Sequence, residues 1–383
     1  MEKLRIAIIG NIITSGSADV FLKKFLRILL PFAGLVYVFS DWSYNLNSSK
    51  VKVVISTRSI IRLFAERPSI ITRSIKYLLI QLLICINLLK LAKNIQLVLT
   101  FDTLMIGPVF LAKLMRKKVA PFAAARVEID TIPKERILGE CLRKVAELAR
   151  HTVFILSDRI IVESSSLIYW LNLNRYKNKL RIRSTFVDLD IFKPEIKVNE
   201  RSNVIGYIGG ITESKGVKQF ARSLPFVLKK RPDTNFLICG DGSCYKKIEN
   251  IIANSNLEEK VKLMGWIQHF KVPVYLNQLK LLVLPSESEG LPNIILESMA
   301  CGTPVLATPV GGIPDIIKDG ETGFLLKSND PEHIADRIVE LLSKPELLEK
   351  VSVKAYNYVR ENFSYEKTLE AWRKILEQLE ITN

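Results

Sequence analysis

Within Leu281 to Gly302, LLVLPSESEGLPNIILESMACG, two carboxylates frame a helix start, and that is the part of the sequence best placed to do chemistry. Leu281-Leu282-Val283-Leu284 is a short, uniform apolar run, which suits a strand covered on both faces by helices. A polar turn follows, Ser286 to Gly290, and Pro292 then predicts a helix start, because proline is pre-set for the first helical turn. Gly302 and Pro304 predict its stop. Free backbone N–H groups around Leu291 to Ile294 would point beyond the carboxyl end of a sheet, and such a helix start attracts a phosphate. Pro292 has no N–H, so Leu291 and Asn293 are the donors available there. Glu289 lies just before the helix and Glu297 about one and a half turns inside it. Carboxylates are poor company for phosphate, so hydroxyl groups are their expected partners. From spacing alone, a second reading stays equally open, with Glu289 a solvated turn residue and Glu297 a surface helix residue.

The elements that must position these residues read as alternating strands and helices. In the first half, strands are expected at Leu4 to Ile9, Leu35 to Phe39, Val51 to Ile55, Ile95 to Thr100 and Ile160 to Val162. Helical segments fall between them, including Val20 to Leu30 and Lys134 to His151, and Leu180 to Val187 closes the set. After the polar linker Lys193 to Asn203 the pattern repeats, with strands at 204–208, 235–239, 261–264, 281–284 and 304–307. Helices are expected at 331–343, 345–361 and 365–379. That alternation implies βαβ units and parallel sheets, hence an α/β fold of two Rossmann-like domains. Ligands of such sheets sit beyond the carboxyl ends of the strands.

Composition narrows the class. The chain of 383 residues is long enough for two full cores, and its 48% hydrophobic content belongs to a globular protein. Five scattered cysteines with no CxxC pair argue against a zinc site or a disulfide framework and fit a reducing cytosol. The opening MEKLRIAIIGNII reads as a first strand, not a leader. Residues 1–199 hold 32 Lys+Arg against 15 Asp+Glu, a net +17, whereas residues 200–383 hold 23 against 24, a net −1. Nucleic acid is the first partner such an excess suggests. No RNP-like or finger motif accompanies it, so an anionic membrane or a phosphorylated acceptor is the better partner. The most apolar stretch, Ile75 to Leu91, contains Gln81 and Asn87 and is flanked by Lys76 and Lys90. A helix buried against the first sheet is its favoured reading. An in-plane membrane helix is the alternative, supported by Arg58, Arg62, Arg67 and Arg73 just upstream.

Glu289 and Glu297, set in SEGLPNIILESMACGTPV and followed by GGIPDIIKDGETGFLL, resemble the family 4 retaining glycosyltransferases of the GT-B fold. YIGGITESKGV (207–217), LICGDGS (237–243) and VKLMGWI (261–267) look like that family's donor-domain landmarks. SDRIIVESSSLIYWL (157–171) and VDLDIFKP (187–194) look like the end of its first domain. The resemblance implies an acceptor-side domain over 1–195, a donor-binding domain over 196–362 and a last helix, 363–383, crossing back to the first domain. It implies a nucleotide diphosphate sugar as co-substrate, UDP- or GDP-linked, with no cofactor and no metal; Asp188-Leu189-Asp190 is read as structural, not as a metal site.

The resemblance also implies roles for individual residues. Lys215 matches the lysine that neutralises the diphosphate, Glu297 the group that takes the ribose hydroxyls, and Glu289 the contact to the donor sugar. Ile267 matches the position whose backbone reads the base, and Gly16 the first-domain glycine loop over the phosphates. Gly290, Leu291, Pro292 and Asn293 frame the helix start. Two departures stand out. The family's phosphate arginine is replaced by Gly210, so either another cation substitutes or the Gly209-Gly210 backbone approaches the phosphate directly. The first-domain histidine is missing from Phe122 to Thr131, where Arg126, Glu128 and Asp130 are available and Glu128 is the favoured catalytic substitute, with a surface salt bridge equally open. His269 is expected on a loop after Trp266 without catalytic duty. The expected activity is sugar transfer to a lipid-linked or cell-envelope glycan, by a cytoplasmic protein peripheral to the inner membrane face. The alternatives are a nucleotide-sugar epimerase on the same fold and a non-catalytic basic membrane- or nucleic-acid-binding protein.

Overall fold

Apolar runs bounded by turn residues become strands throughout this computed structural model, which describes residues 3–10, 17–39, 48–55, 70–123, 137–183, 185–379 and 381. The first set comprises β1 (Leu4–Ile9), α1 (Ser17–Leu29), β2 (Ala33–Phe39), β3 (Val51–Ile55), α2 (Ile70–Lys90), β4 (Leu97–Thr100) and α3 (Ile106–Leu114). It continues through β5 (Lys118–Ala123), α4 (Ile137–Leu156), β6 (Ile160–Val162), α5 (Ser165–Trp170) and β7 (Leu180–Ile182). Its seven strands are parallel in the order β3-β2-β1-β4-β5-β6-β7.

The second set runs β8 (Val204–Ile208), α6 (Val217–Lys230), β9 (Asn235–Cys239), α7 (Tyr245–Asn254), β10 (Val261–Gly265), α8 (Val272–Leu276) and β11 (Leu281–Leu284). It ends with α9 (Asn293–Ala300), β12 (Val305–Ala307), α10 (Ile313–Ile316), β13 (Phe324–Leu325), α11 (Pro331–Leu342), α12 (Pro345–Asn362) and α13 (Tyr365–Glu377). Its six parallel strands are ordered β10-β9-β8-β11-β12-β13. The strand order reverses direction between β8 and β11, and loops at such a switch point diverge to leave a crevice at their carboxyl ends.

Residues 1–163, 171–183 and 369–383 form one compact unit, and residues 164–170 and 184–368 the other. The segment after residue 184 is tied into the second unit: the Val187 N–H donates to the Phe363 carbonyl and the Glu195 N–H to Asn277 Oδ1. Among the described residues each unit buries one arginine, by opposite means. In the second, the Arg201 guanidinium donates to the carbonyls of Ile196, Leu279 and Cys301 and to Thr303 Oγ1 at 2.6–3.0 Å. In the first, Arg183 sits among the rings of Phe21, Phe25, Phe122 and Trp372, 5.3–6.0 Å from their centroids. Among the described residues its nitrogens have no hydrogen-bond partner, and Glu163 is 3.9 Å away. Burial lowers both guanidinium pKa values to about 10.

The helix α2 departs from its expected burial. Ile80, Ile84 and Leu88 are buried, but Ile75, Leu78, Leu79, Leu82, Ile86 and Leu89 on the opposite face are exposed. The favoured reading, a helix buried against the first sheet, thus holds for one face of α2 and leaves its other apolar face uncovered. Among the described residues no helix is long and apolar enough to cross a membrane.

Candidate functional site

The loops after β8 and β11 leave adjacent parallel strands at the switch point, and they are stitched together. The Glu287 N–H donates to the Ser214 carbonyl at 2.9 Å. Gly216, at φ +66°, brings its Cα against Pro285: a Cβ there would lie 1.9 Å from the Pro285 carbonyl oxygen. Only glycine allows that approach and that left-handed backbone together. The consequence is that Lys215, the residue before it, is delivered to the β11 loop. Lys215 Nζ donates to Glu289 Oε2 at 2.7 Å, and the Ser286 hydroxyl donates to Glu289 Oε1 at 2.8 Å. Glu289 is buried and Lys215 one-third exposed, so one end of this ion pair is open to a ligand.

The glycine turn behind Lys215 is also held. Tyr207 OH donates to the Gly210 carbonyl at 2.7 Å, and burial, then the neighbouring Glu289, pushes the phenol pKa up, so it stays a donor. The Gly209 N–H donates to Cys239 and that of Ile211 to Asp241, which ties the β8 loop to the β9 loop. At Gly210 a Cβ would meet nothing within 4 Å. The missing arginine therefore leaves open space, not a substitute side chain packed at that point.

Helix α9 begins at Asn293 with Pro292 extended before it, where the proline predicted a start. In its first turn the Ile295 N–H donates to the Pro292 carbonyl at 3.1 Å, so the N–H groups of Asn293 and Ile294 are the ones a ligand could take. Among the described residues Asn293 Oδ1, buried there, has no hydrogen-bond partner. A buried orphan acceptor at a helix start is costly unless something fills it, so it points to a donor from a ligand. Gly290 is fixed by its carbonyl, which accepts from the Gly312 N–H at 2.7 Å, and Leu291 is buried. Glu297 is buried one turn further in, and its Oε1 lies 2.9 Å from His269 Nε2. That contact was not foreseen from sequence: His269 follows the half-buried Ile267 by two residues and brings the β10 loop to Glu297.

Gly209, Gly210 and Lys215 thus lie on the loop after β8, and Glu289, Gly290, Leu291, Pro292, Asn293 and Glu297 on the loop after the adjacent β11 and the helix α9 it leads into, while Ile267 lies on the β10 loop that His269 brings to Glu297. Gly16 and Glu128 lie outside the described residues. Asp188 caps a turn, its carbonyl accepting from the N–H groups of Ile191 and Phe192. A pocket of about 460 Å³ lies further along the same sheet, lined by Thr308, Asp319, Lys327 and Asn329 and meeting the β11 loop at Ser286 and Glu287. It sits beside the Lys215–Glu289 pair, not over it.

A cation on a buried carboxylate, a helix start with an orphan acceptor and a second carboxylate for hydroxyls together suit a phosphorylated, hydroxyl-bearing ligand. The comparisons agree with that chemistry. Residues 188–358 match the family described as Glycosyl transferases group 1, in agreement with the glycosyltransferase resemblance read from the sequence. An uncharacterised glycosyltransferase of Methanocaldococcus jannaschii is 33% identical over 224 residues, 58% of this chain and 60% of that protein. The N-acetyl-alpha-D-glucosaminyl L-malate synthase of Bacillus anthracis is 30% identical over 49% of each chain. The chain thus spans about half the length of the curated relatives it matches. The crystal structure of Anabaena HepE in complex with UDP matches over 98% of this chain and 100% of its own, with TM-score 0.74 at 15% identity, and the fold is accordingly GT-B.

Proposed function

We propose that the chain is a family 4 retaining glycosyltransferase that transfers a sugar from a nucleotide diphosphate donor, UDP- or GDP-linked, to an acceptor hydroxyl. The observation that carries this reading is the Lys215–Glu289 ion pair beside the α9 start, where Asn293 Oδ1 is buried and unpartnered. In this reading the diphosphate takes over Lys215 Nζ, and the first-turn N–H groups of α9 support the same charge. Glu297 accepts from the ribose hydroxyls and Glu289 from a hydroxyl of the sugar.

Charge grows on the departing phosphate as the anomeric bond breaks, so Lys215 binds the transition state more strongly than the ground state. The acceptor oxygen attacks the anomeric carbon from the side the phosphate leaves. Its new C–O bond forms as the phosphate C–O bond breaks, and its proton passes to the released phosphate oxygen. No covalent enzyme intermediate is needed, and the configuration is retained. Glu128 remains the favoured first-domain group near the transferred sugar.

The acceptor is a lipid-linked or cell-envelope glycan, and the protein works on the cytoplasmic side, peripheral to the inner face of the membrane. The net +17 of residues 1–199 supports this, since a soluble neutral sugar gains nothing from such a charge. The test is incubation with a panel of UDP- and GDP-sugars, measuring nucleotide release with and without acceptor. Acceptor-dependent release with one donor supports the proposal. Interconversion of donor sugars without release makes the protein an epimerase, and no turnover or nucleotide binding refutes the enzymatic reading.

A further inference from the structure

We infer that the outer face of the α2–α3–α4 layer is a docking surface for an anionic lipid bilayer, an inference that rests on the proposed lipid-linked acceptor and names where that surface is met. Crossovers from β3 to β4, β4 to β5 and β5 to β6 all progress the same way along the sheet. Right-handed connections therefore place α2, α3 and α4 on one face. The helix α3 packs between the other two, and the Gly107 N–H donates to Gln81 Oε1 of α2 at 3.0 Å. Each helix buries one side against the sheet, so the opposite sides look outward together.

Those outward sides are apolar. On α2, Leu78, Leu82 and Leu89 are 65%, 57% and 55% exposed, and Ile75, Leu79 and Ile86 share their arc. Positions 75 to 89 span about 21 Å of helix. Phe110 and Leu114, one turn apart on α3, continue the patch, as do Val145, Leu148 and Ile155 on α4. Single exposed leucines need no explanation, but a surface contiguous over three helices does.

Charge selects the occupant. Neither α2 nor α3 contains an Asp or Glu, and Lys76, Lys90, Lys93, Arg116 and Lys117 surround their apolar strip; α4 adds Glu140 and Glu147 alongside Arg143 and Lys144. An apolar face in a basic rim fits lipid tails beneath anionic headgroups. A second copy meeting this face would set like charges against each other across a two-fold axis. The bilayer is met in its plane, since no described helix can cross it. The upstream Arg58, Arg62 and Arg67 fall outside the described residues and the inference does not use them.

The experiment is co-sedimentation of the purified full chain with vesicles of phosphatidylglycerol and phosphatidylcholine, and with phosphatidylcholine alone. The wild type should sediment with the anionic vesicles, less so at high salt. The exposed-face variant Leu78→Ser/Leu82→Ser/Leu89→Ser should bind them roughly tenfold more weakly or worse. Its thermal midpoint and its UDP and GDP affinities should match the wild type, which separates docking from folding and from the donor site. A wild type that ignores both vesicle types, or a variant that binds as well as the wild type, overturns the inference. So does a dimer on gel filtration that the variant dissolves while vesicles are ignored, which would assign the face to a second copy. Vesicle binding without nucleotide binding would sink the proposed function and leave the docking surface standing.

Discussion

Replacing Lys215 by alanine separates what the lysine does for the fold from what it does for the reaction. In the structure its Nζ lies 2.7 Å from Glu289 Oε2, with Glu289 buried and the lysine side chain 34% exposed. A hydrogen bond to a charged group is worth about 1.5–3 kcal/mol, and exposure of the lysine puts this one at the low end. Among the described residues the Ser286 hydroxyl still supports Glu289 after truncation. The expected loss is therefore about 1.5 kcal/mol, or a fall of roughly 3–6 °C in the melting of the second unit. The effect on the reaction is larger. Removing one donor aimed at developing negative charge costs about 10²–10³ in kcat, or about 2.7–4 kcal/mol. The assay pairs nucleotide release at saturating donor with melting followed by circular dichroism. Turnover within threefold of wild type, with the melting loss present, would mean that Lys215 only balances Glu289 and that the phosphate cation lies elsewhere.

Three other substitutions test neighbouring parts of the argument. Gly210→Arg enters space free of any atom within 4 Å of its Cβ, so it should fold normally and tighten nucleotide diphosphate binding several-fold, as calorimetric titration would show; unchanged affinity would put the diphosphate away from Gly210. Arg201→Met strands several buried carbonyls and should cost on the order of 3 kcal/mol, whereas Arg183→Met relieves a buried, unbonded guanidinium and should cost less than about 1 kcal/mol or stabilise. Equal losses in denaturant titrations would refute that contrast. Burial raises the Asp315 pKa, but hydrogen bonds from Ser166 and Ser165 outweigh it and leave the carboxyl below its ordinary value. A carboxyl so depressed stabilises above its unfolded-state pKa and stops doing so as pH falls through the folded one. Protection of the Ser166 amide in hydrogen exchange should therefore be lost on acidification below about pH 4, and Asp315→Asn should abolish that pH dependence.

Much of the candidate site was legible because it is local. Proline at 292, glycine at 302 and the apolar run 281–284 are short-range signals, and helix α9 and strand β11 formed where they said. The roles of Lys215 and Glu289 came from resemblance, but their meeting depends on Gly216, whose close approach to Pro285 is a tertiary fact. The His269–Glu297 contact joins the β10 loop to helix α9 after β11, from strands that follow each other in the chain but are separated in the sheet by β9 and β8, and it carries no local mark. Strand β5 (Lys118–Ala123) is not among the strands read from the sequence, and its Pro121 is a residue that generally argues against a central strand, yet it pairs with both β4 and β6. Helix α2 misled through composition. Periodicity reports which residues are apolar, and here both faces are, so sequence could not say which face the sheet had taken.

The uneven charge yields a last prediction. Residues 200–383 carry a net −1, so long-range attraction cannot draw an anionic nucleotide to the second unit. In the proposed function what binds it is short-range: the Lys215 ammonium and first-turn N–H groups of α9 at the phosphates, and Asn293 Oδ1 accepting from a ligand donor. Contacts of that kind lie well inside the Debye length and are partly buried, so salt screens them weakly. Residues 1–199 carry +17, and the attraction of so diffuse a charge to an extended anionic surface is screened strongly. Raising ionic strength from about 0.05 M to about 0.3 M should therefore change the nucleotide affinity little while releasing most protein from anionic vesicles. The two titrations can be run on one preparation. If both bindings fade together, the donor is held by the diffuse basic field of the first unit, and the site built around Lys215 is not where the phosphates rest.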